Sequence, residues 1–162
     1  MSNKEPIKRH PAIVSFSKDH HFGLLMAWKI RQGLTKNISA ERISDYVLYF
    51  FKEDLEKHFA DEEEMLFSSL PVDDEMRIKA EVDHREIFNL VNRIEQNKQD
   101  NALLNELADK IDQHIRFEER ELFNHLQDNI STDKLEEIAK RMPNSGKEID
   151  EHWKDIFWEI KK

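Results

Sequence analysis

The chain has 162 residues, and 34 acidic against 25 basic side chains give it a formal net charge of -9. This length suits one compact domain, and the acidic excess argues against nucleic acid as a partner, because it repels a phosphate backbone. The chain has no cysteine, which excludes disulfides, iron–sulfur clusters and thiolate zinc sites. No segment predicts a membrane span or a signal peptide, so we expect a cytoplasmic protein without a membrane partner.

The first two of four long segments with helical periodicity occupy the N-terminal half of the chain. The first runs over about residues 11–32 and is predicted to stop at Gly33. Its predicted inner stripe consists of Phe16, His20, Leu24, Ala27, Arg31 and Leu34. The second begins after Ser39, a favourable N-cap, and ends before Pro71. Its predicted inner stripe consists of Val47, Phe51, Leu55, His58, Glu62 and Leu66.

The third and fourth segments repeat this pattern. The third follows Asp73 or Asp74, and its inner stripe consists of Ala80, His84, Ile87, Val91 and Ile94. The fourth covers about residues 102–128, and its inner stripe consists of Leu104, Leu107, Ile111, His114, Glu118, Leu122 and His125. Short connections favour antiparallel neighbours, so we predict an all-α fold, an antiparallel up-and-down four-helix bundle with an additional C-terminal helical segment.

The sequence predicts three parts: an N-terminal arm (1–10), the four-helix bundle (11–130) and a C-terminal helical extension packed on the bundle (131–162). In the extension, Ser131 is expected to cap a short helix that ends near Met142, and a turn follows at residues 143–146. A last helical segment is predicted over residues 148–160. It places three large apolar side chains on one face: Trp153, Phe157 and Ile160.

An internal repeat links the second and fourth segments. Residues 58–67 read HFADEEEMLF and residues 114–123 read HIRFEERELF, so both contain HxxxEExxLF. Residues four apart in a helix lie on one face, which pairs His58 with Glu62 and His114 with Glu118. Both pairs lie on apolar inner stripes, where polar groups without partners are costly. Something inside the bundle is therefore expected to satisfy them.

The first and third segments each add one histidine to this layer, His20 and His84, and each follows an aspartate. A glutamate bridge from each HxxxE helix, with two histidines per ion, would hold two metal ions. The predicted ligands are His20, His58, Glu62, His84, His114 and Glu118. Such nitrogen and oxygen ligands suit iron, manganese or zinc.

These six residues and their spacing resemble the hemerythrin-like, or HHE cation-binding, family over about residues 10–129. The resemblance implies a four-helix bundle with a non-haem centre of two iron ions, for which manganese or zinc are possible substitutes. It also implies that some members bind dioxygen reversibly. Ferritin-like helices carry Glu-x-x-His instead, and the HxxxE order here favours the hemerythrin-like interpretation.

One position departs from the pattern of oxygen-carrying hemerythrins. Those proteins have a further histidine four residues after the one in the third helix, where this chain has Phe88. The resemblance therefore implies a more open coordination and puts reversible oxygen carriage in doubt. Glu81, three residues before His84, is an alternative fifth ligand, although a solvated surface glutamate is the simpler interpretation.

Three functions remain open at this point. The first is a protein that binds or senses dioxygen or iron, and the second is a di-iron redox enzyme that acts on peroxide or nitric oxide. The third is a metal-free helical interaction module. We expect a metal-binding and oxygen-binding protein rather than a dedicated enzyme, and its partner is dioxygen or another small diatomic or peroxide ligand. The sequence identifies no protein partner.

Other residues near the motifs receive simpler interpretations. His21 is expected at the bundle boundary, His125 at a helix end, and His10 and His152 in solvent. Glu63 and Glu119 are alternative ligands if the helical register is shifted by one residue. Gly23 provides either room near the metals or a close helix crossing.

Overall fold

A computed structural model of the protein describes residues 8–141 and 153–159, and every regular element in these two ranges is helical. Most of them form four helical rods, which we number in chain order. Rod 1 is α1 (Pro11–Thr35). Rod 2 consists of α2 (Ala40–Phe50), a π-helical turn (Phe51–Leu55), α3 (Glu56–Asp61), a second π-helical turn (Glu62–Leu66) and a 3-10 turn (Phe67–Ser69).

The later elements continue the same plan. Rod 3 is α4 (Glu75–Gln96). Rod 4 consists of α5 (Asn101–Phe117), a π-helical turn (Glu118–Leu122) and α6 (Phe123–Asn129). A short helix, α7 (Thr132–Arg141), and a 3-10 turn (Phe157–Glu159) follow.

Helices begin where the sequence supplies side-chain caps. Ser39 accepts a hydrogen bond from the backbone N–H of Arg42 at 3.3 Å, and Asp74 accepts one from Arg77 at 3.0 Å. Ser131 caps α7 in the same way. These caps satisfy backbone donors that the first turn of a helix leaves free, which is why the predicted helix starts are confirmed.

The predicted end of the first helix at Gly33 is wrong, because α1 continues to Thr35. The chain reverses at Asn37, whose φ of 58° lies in the left-handed region. Gly33 instead permits close packing. A Cβ atom there would lie 2.7 Å from Ile43 Cδ1 and 2.9 Å from Phe157 Cε1, so the missing side chain lets α2 and the C-terminal 3-10 turn approach α1.

The predicted inner stripe of α1 also needs correction. Leu24 is 37% exposed, and Arg31 makes a surface ion pair with Asp109 at 2.7 Å. After His20, the buried face continues through Gly23 and Ala27. Because a helix has 3.6 residues per turn, the face that carries His20 can continue three or four residues later. Leu24, four residues later, is apolar, so the sequence favoured it over Gly23, which has no side chain.

Two apolar clusters lie on either side of a layer of buried polar side chains. The first cluster contains Met26, Ile30, Val47, Leu90 and Leu107, among others. The second contains Ile13, Leu66, Ala80, Leu122 and Leu126, among others. Rods 1 and 3 pass from the second cluster to the first, whereas rods 2 and 4 pass from the first to the second. Each rod therefore carries its polar residues at the same level.

The C-terminal segment packs on the rods but differs from its predicted form. Residues 153–156 are not helical, while residues 148–152 and 160, like Met142 and the predicted turn, lie outside the described ranges. The Lys29 ammonium lies 4.0 Å from the ring centre of Trp158, and Arg42 forms an ion pair with Asp155 at 2.6 Å. Phe157 is fully buried, so this segment covers apolar surface of the same chain.

Within the described ranges, no helix combines the length and the apolar content needed to cross a membrane.

Candidate metal centre

The structure brings all six predicted ligand residues into the polar layer between the two apolar clusters. Each rod contributes at least one of them, and all six are buried: His20, His58, Glu62, His84, His114 and Glu118. Their ligand atoms form two groups, and within each group the atoms lie within 4.8 Å of one another. One group is His20, His58 and Glu62; the other is Glu62, His84, His114 and Glu118. Glu62 belongs to both.

The two glutamates occupy equivalent positions in the backbone. Glu62 is the first residue of a π-helical turn in rod 2, and Glu118 is the first residue of one in rod 4. Such turns are wider than α-helical turns and are frequent at functional sites. Helical periodicity in a sequence does not distinguish them from ordinary turns, so they were not predicted.

The atoms that point into the layer have no hydrogen-bond partner. This holds for the Nε2 atom of each of the four histidines and for both carboxylate oxygens of Glu62 and Glu118. His114 Nε2 lies 2.8 Å from Glu118 Oε1, and His84 Nε2 lies 3.3 Å from Glu62 Oε1, but neither contact has the geometry of a hydrogen bond. Leaving a buried polar group unsatisfied costs about 1–3 kcal/mol, and more for a charged group. Cations between these eight atoms would remove that cost, so the residues fit a metal centre.

The opposite nitrogen of every ring is hydrogen-bonded to a carboxylate. The distances from Nδ1 are 2.8 Å for His20 to Glu119, 3.1 Å for His58 to Asp19, 3.1 Å for His84 to Glu63 and 3.0 Å for His114 to Asp83. Because an ionised carboxylate only accepts hydrogen bonds, Nδ1 carries the hydrogen in the neutral form of each ring, and the Nε2 lone pair of that form points into the layer. This carboxylate–histidine arrangement is the one that orients metal-binding imidazoles.

A small cavity adjoins the layer. Its volume is about 10 Å³, which is close to the space that one water molecule requires. Apolar side chains form much of its wall: Leu55, Phe59, Ile87, Ile111 and Ile115. Gly23 also lines the cavity, and a Cβ atom there would lie 2.7 Å from Ile115 Cδ1. Both interpretations of Gly23 therefore hold, since it leaves room beside the layer at a close contact between rods.

The sequence model of the hemerythrin HHE cation-binding domain matches residues 14–126, which is more than half of the chain. The chain belongs to the hemerythrin HHE cation-binding domain family. Comparisons with curated proteins and with solved structures gave no match. The family binds metal cations, and the buried histidine and glutamate groups of this member can hold a metal ion.

The position that departs from oxygen-carrying hemerythrins is filled by aromatic packing. Phe88 is partly buried and meets Phe51 edge-on, with ring centres 5.0 Å apart. Glu81, the alternative fifth ligand, lies 3.4 Å from Arg77 Nε and belongs to neither ligand group. In this hemerythrin-family chain, the described groups that could hold a metal ion therefore contain four histidines and two glutamates.

The other histidines of the described part lie outside the two ligand groups. His21 is exposed, and His125 Nε2 lies 2.7 Å from Asp74 Oδ2 near the end of rod 4. The prediction of a solvent-facing His10 is wrong, because this residue is partly buried and its Nδ1 caps α1 by accepting a hydrogen bond from the N–H of Ala12. His152 lies outside the described residues.

Sequence reasoning missed the outer carboxylates. Glu63 and Glu119 were predicted as alternative ligands, but their carboxylates bond the outer nitrogens of His84 and His20. Asp19 and Asp83 act in the same way on the remaining two rings. The signal was present, because the dipeptide DH occurs at residues 19–20 and 83–84, and a second glutamate directly follows the glutamate of each HxxxE motif.

Two of these carboxylates also contact cations. Lys110 Nζ lies 3.0 Å from Asp83 Oδ1. Burial would raise the pKa of Asp83, but the hydrogen bonds from His114 and Lys110 outweigh it and hold the pKa well below its usual value. For Glu119, burial is likewise outweighed by hydrogen bonds from His20 and Arg9, which lower its pKa to about 2. Both groups are therefore ionised acceptors at neutral pH.

Burial affects the inner groups differently. Burial, with repulsion from Glu118 next, raises the pKa of Glu62 well above its usual value. Burial lowers the pKa of His84. For His20 burial also acts downward, but the neighbouring carboxylates of Glu118 and Glu119 outweigh it and raise the pKa to about 9. Without a metal ion, His20 is therefore protonated at neutral pH.

Metal affinity is expected to increase with pH in the range below about 9, because a metal-bound imidazole must be neutral and His20 holds its proton up to that pH. One displaced proton corresponds to about a tenfold rise in apparent affinity per pH unit. Competition with a chelator of known pH dependence measures this slope. In His20→Gln the slope should fall by about one proton, whereas an affinity independent of pH in the unmodified protein would contradict the assignment.

Proposed function

We propose that the protein holds two iron ions between its four rods and uses them to bind or sense dioxygen or iron. The proposed ligands are His20 and His58 for one ion and His84 and His114 for the other, with Glu62 and Glu118 as bridging carboxylates. The observation that carries this proposal is the set of eight buried, inward-pointing ligand atoms without hydrogen-bond partners. The sharing of Glu62 between both ligand groups supports two ions rather than one.

The rods are proposed to form an antiparallel up-and-down four-helix bundle. The order in which each rod passes the two apolar clusters alternates along the chain, as this topology requires. Short links such as residues 36–39 between α1 and α2 also favour neighbouring antiparallel rods. We further propose a cytoplasmic location, and the net charge of -9 supports the absence of a nucleic-acid partner.

A di-iron centre supplies reversible dioxygen uptake or redox chemistry when it is bound. The chain itself contributes three things to this chemistry. The outer carboxylates hold each imidazole with Nε2 turned inward. Phe59, Ile111 and Ile115 form an apolar wall beside the layer, and the cavity of about 10 Å³ next to this wall has the size of about one water molecule. Manganese or zinc suits the same ligands, because both accept imidazole and carboxylate.

A redox enzyme that acts on peroxide or nitric oxide is the second candidate. Phe88 supports it, because this aromatic side chain stands where oxygen carriers have a further histidine and so leaves fewer protein ligands for the centre. The third candidate, a metal-free interaction module, is disfavoured by the unsatisfied buried atoms, which would make such a bundle costly.

Cycles of oxygen exposure test the proposed use of the centre. The full chain is loaded with Fe(II) without oxygen, and its absorption is recorded as air is admitted and then removed. We expect an absorption change that reverses on removal of oxygen. Continuous consumption of added peroxide, with the change not reversing, would favour the redox enzyme instead. Glu64→Gln, an exposed neighbour of Glu62, serves as the control and should match the unmodified chain.

A further inference from the structure

Arg9 lies before residues 14–126, the range matched by the family, and reaches back to the metal centre. Its Nη2 donates to the backbone carbonyl oxygen of Glu119 at 2.6 Å, and its Nη1 donates to Glu119 Oε1 at 2.8 Å. Ser17 Oγ adds a third contact, 2.8 Å from Glu119 Oε2. The carboxylate of Glu119 is thus held from several sides, and its Oε2 accepts the hydrogen bond from His20 Nδ1.

The same arginine also contacts the ring that packs on His20. Phe123 stacks on His20 with the two rings only 5° from parallel and their centres 5.1 Å apart. The Arg9 guanidinium carbon lies 5.6 Å from the centre of Phe123, within the range of a cation–π contact. Arg9 therefore lies near His20 on two sides, but only the carboxylate of Glu119 joins the two residues by hydrogen bonds.

The backbone around Arg9 is fixed to rod 4 by a single side chain. Gln127 Oε1 accepts a hydrogen bond from the N–H of His10 at 2.8 Å, and Gln127 Nε2 donates to the carbonyl oxygen of Lys8 at 2.8 Å. These bonds hold the chain on both sides of Arg9. The arginine is consequently presented to Glu119 from an anchored segment rather than from a free end.

The equivalent carboxylate in the other half of the molecule lacks this support. Glu63 bonds His84 as Glu119 bonds His20, but its side chain is 39% exposed. Among the described residues, no arginine or lysine forms an ion pair with Glu63. The internal repeat therefore accounts for the outer glutamate in each half of the molecule. It does not account for the contacts between Arg9 and Glu119, which occur in one half only.

We propose that Arg9, anchored by Gln127, is a positioning residue that fixes His20 as a metal ligand through Glu119. This inference rests on the proposed di-iron function. An outer partner of a metal-binding histidine typically contributes about 10–100-fold to metal affinity. Because the contacts of Arg9 act on His20 only, their loss should weaken the binding of one of the two ions and leave the binding of the other unchanged.

The test compares Fe(II) binding by the full chain and by Arg9→Gln, without oxygen and in competition with a colorimetric chelator. We expect one Fe(II) equivalent to bind about 10-fold more weakly in Arg9→Gln, the lower end of that range, because Glu119 itself remains as the partner of His20. Arg9→Lys should be intermediate, because lysine keeps the charge but lacks the planar fork that reaches two oxygens. Arg42→Gln removes an ion pair with Asp155 at the C-terminal segment and should bind as the unmodified chain does.

A double variant separates positioning from a general loss of stability. Glu119→Gln alone should weaken the same Fe(II) equivalent, and adding Arg9→Gln to it should change little, because both act through one interaction. Gln127→Ala should produce a smaller effect of the same kind. The unfolding midpoint of each metal-free variant is measured by circular dichroism, and the midpoints of Arg9→Gln and Arg42→Gln should be similar.

Several results would overturn the inference. The first is an Fe(II) affinity of Arg9→Gln equal to that of an unmodified chain that binds two equivalents. The second is that the affinity losses of Arg9→Gln and Glu119→Gln add up in the double variant. The third is that Arg42→Gln loses as much Fe(II) affinity as Arg9→Gln does. None of these would affect the proposed function. If the unmodified chain itself binds no Fe(II), both the proposed function and the inference fail.

Discussion

Glu62→Gln is expected to abolish stable binding of both metal ions, because Glu62 belongs to both ligand groups. The amide has nearly the same shape but no negative charge, and its nitrogen cannot serve as a ligand in place of a carboxylate oxygen. We expect an affinity loss greater than the 10–100-fold typical of outer partners, about 1,000-fold or more. Elemental analysis after anaerobic loading and desalting measures the metal content per chain.

Glu64→Gln provides a matched control for this variant. Glu64 lies in the same acidic run, but its side chain is 69% exposed and 3.6 Å from Arg141. Its replacement makes the same change in charge without touching the buried layer, so metal content should stay at the level of the unmodified chain. Full metal content in Glu62→Gln would show that the two ligand groups are wrongly assigned.

Removal of metal is expected to lower the stability of the fold substantially. The metal-free chain must bury eight ligand atoms without hydrogen-bond partners, whereas the loaded chain gains free energy from binding. At a free metal concentration 100 times the dissociation constant this gain is about 2.7 kcal/mol for one site. For a chain of this size it corresponds to a rise in unfolding midpoint of about 5–11 °C.

Thermal unfolding followed by circular dichroism, with and without Fe(II) under nitrogen, measures this difference. Glu62→Gln should gain no stability from Fe(II), since it lacks the ligand that both groups share. An equal shift in Glu62→Gln and in the unmodified chain would indicate that metal acts elsewhere on the protein. A chelator should return the unmodified chain to the midpoint of its metal-free form.

The sequence was sufficient to predict which histidines and glutamates lie together in the buried layer, for a simple geometric reason. A histidine and a glutamate four residues apart share a helix face, and His58 Nε2 does lie 3.4 Å from Glu62 Oε1 on the same rod. Caps at Ser39 and Asp74 were also readable, because their side chains act on backbone groups a few residues away. Local interactions of this kind leave a clear pattern in a sequence.

Features that depend on contacts between distant segments left a weaker pattern. Gly23 faces the layer although Leu24 had the stronger apolar signal, and the role of Gly33 depends on Phe157, far along the chain. The outer carboxylates required knowledge of which rods are neighbours, since Glu119 bonds a histidine 99 residues earlier. The π-helical turn at Glu118 changes a backbone hydrogen-bond pattern that side-chain periodicity does not report.

The metal content of the full chain is the most direct test of the central claim. The chain is loaded with Fe(II) without oxygen, separated from free metal and analysed for iron and for protein. Two iron ions per chain, reduced to none in Glu62→Gln and unchanged in Glu64→Gln, is the result expected from a shared Glu62. An unmodified chain that retains no iron would contradict the proposed di-iron centre.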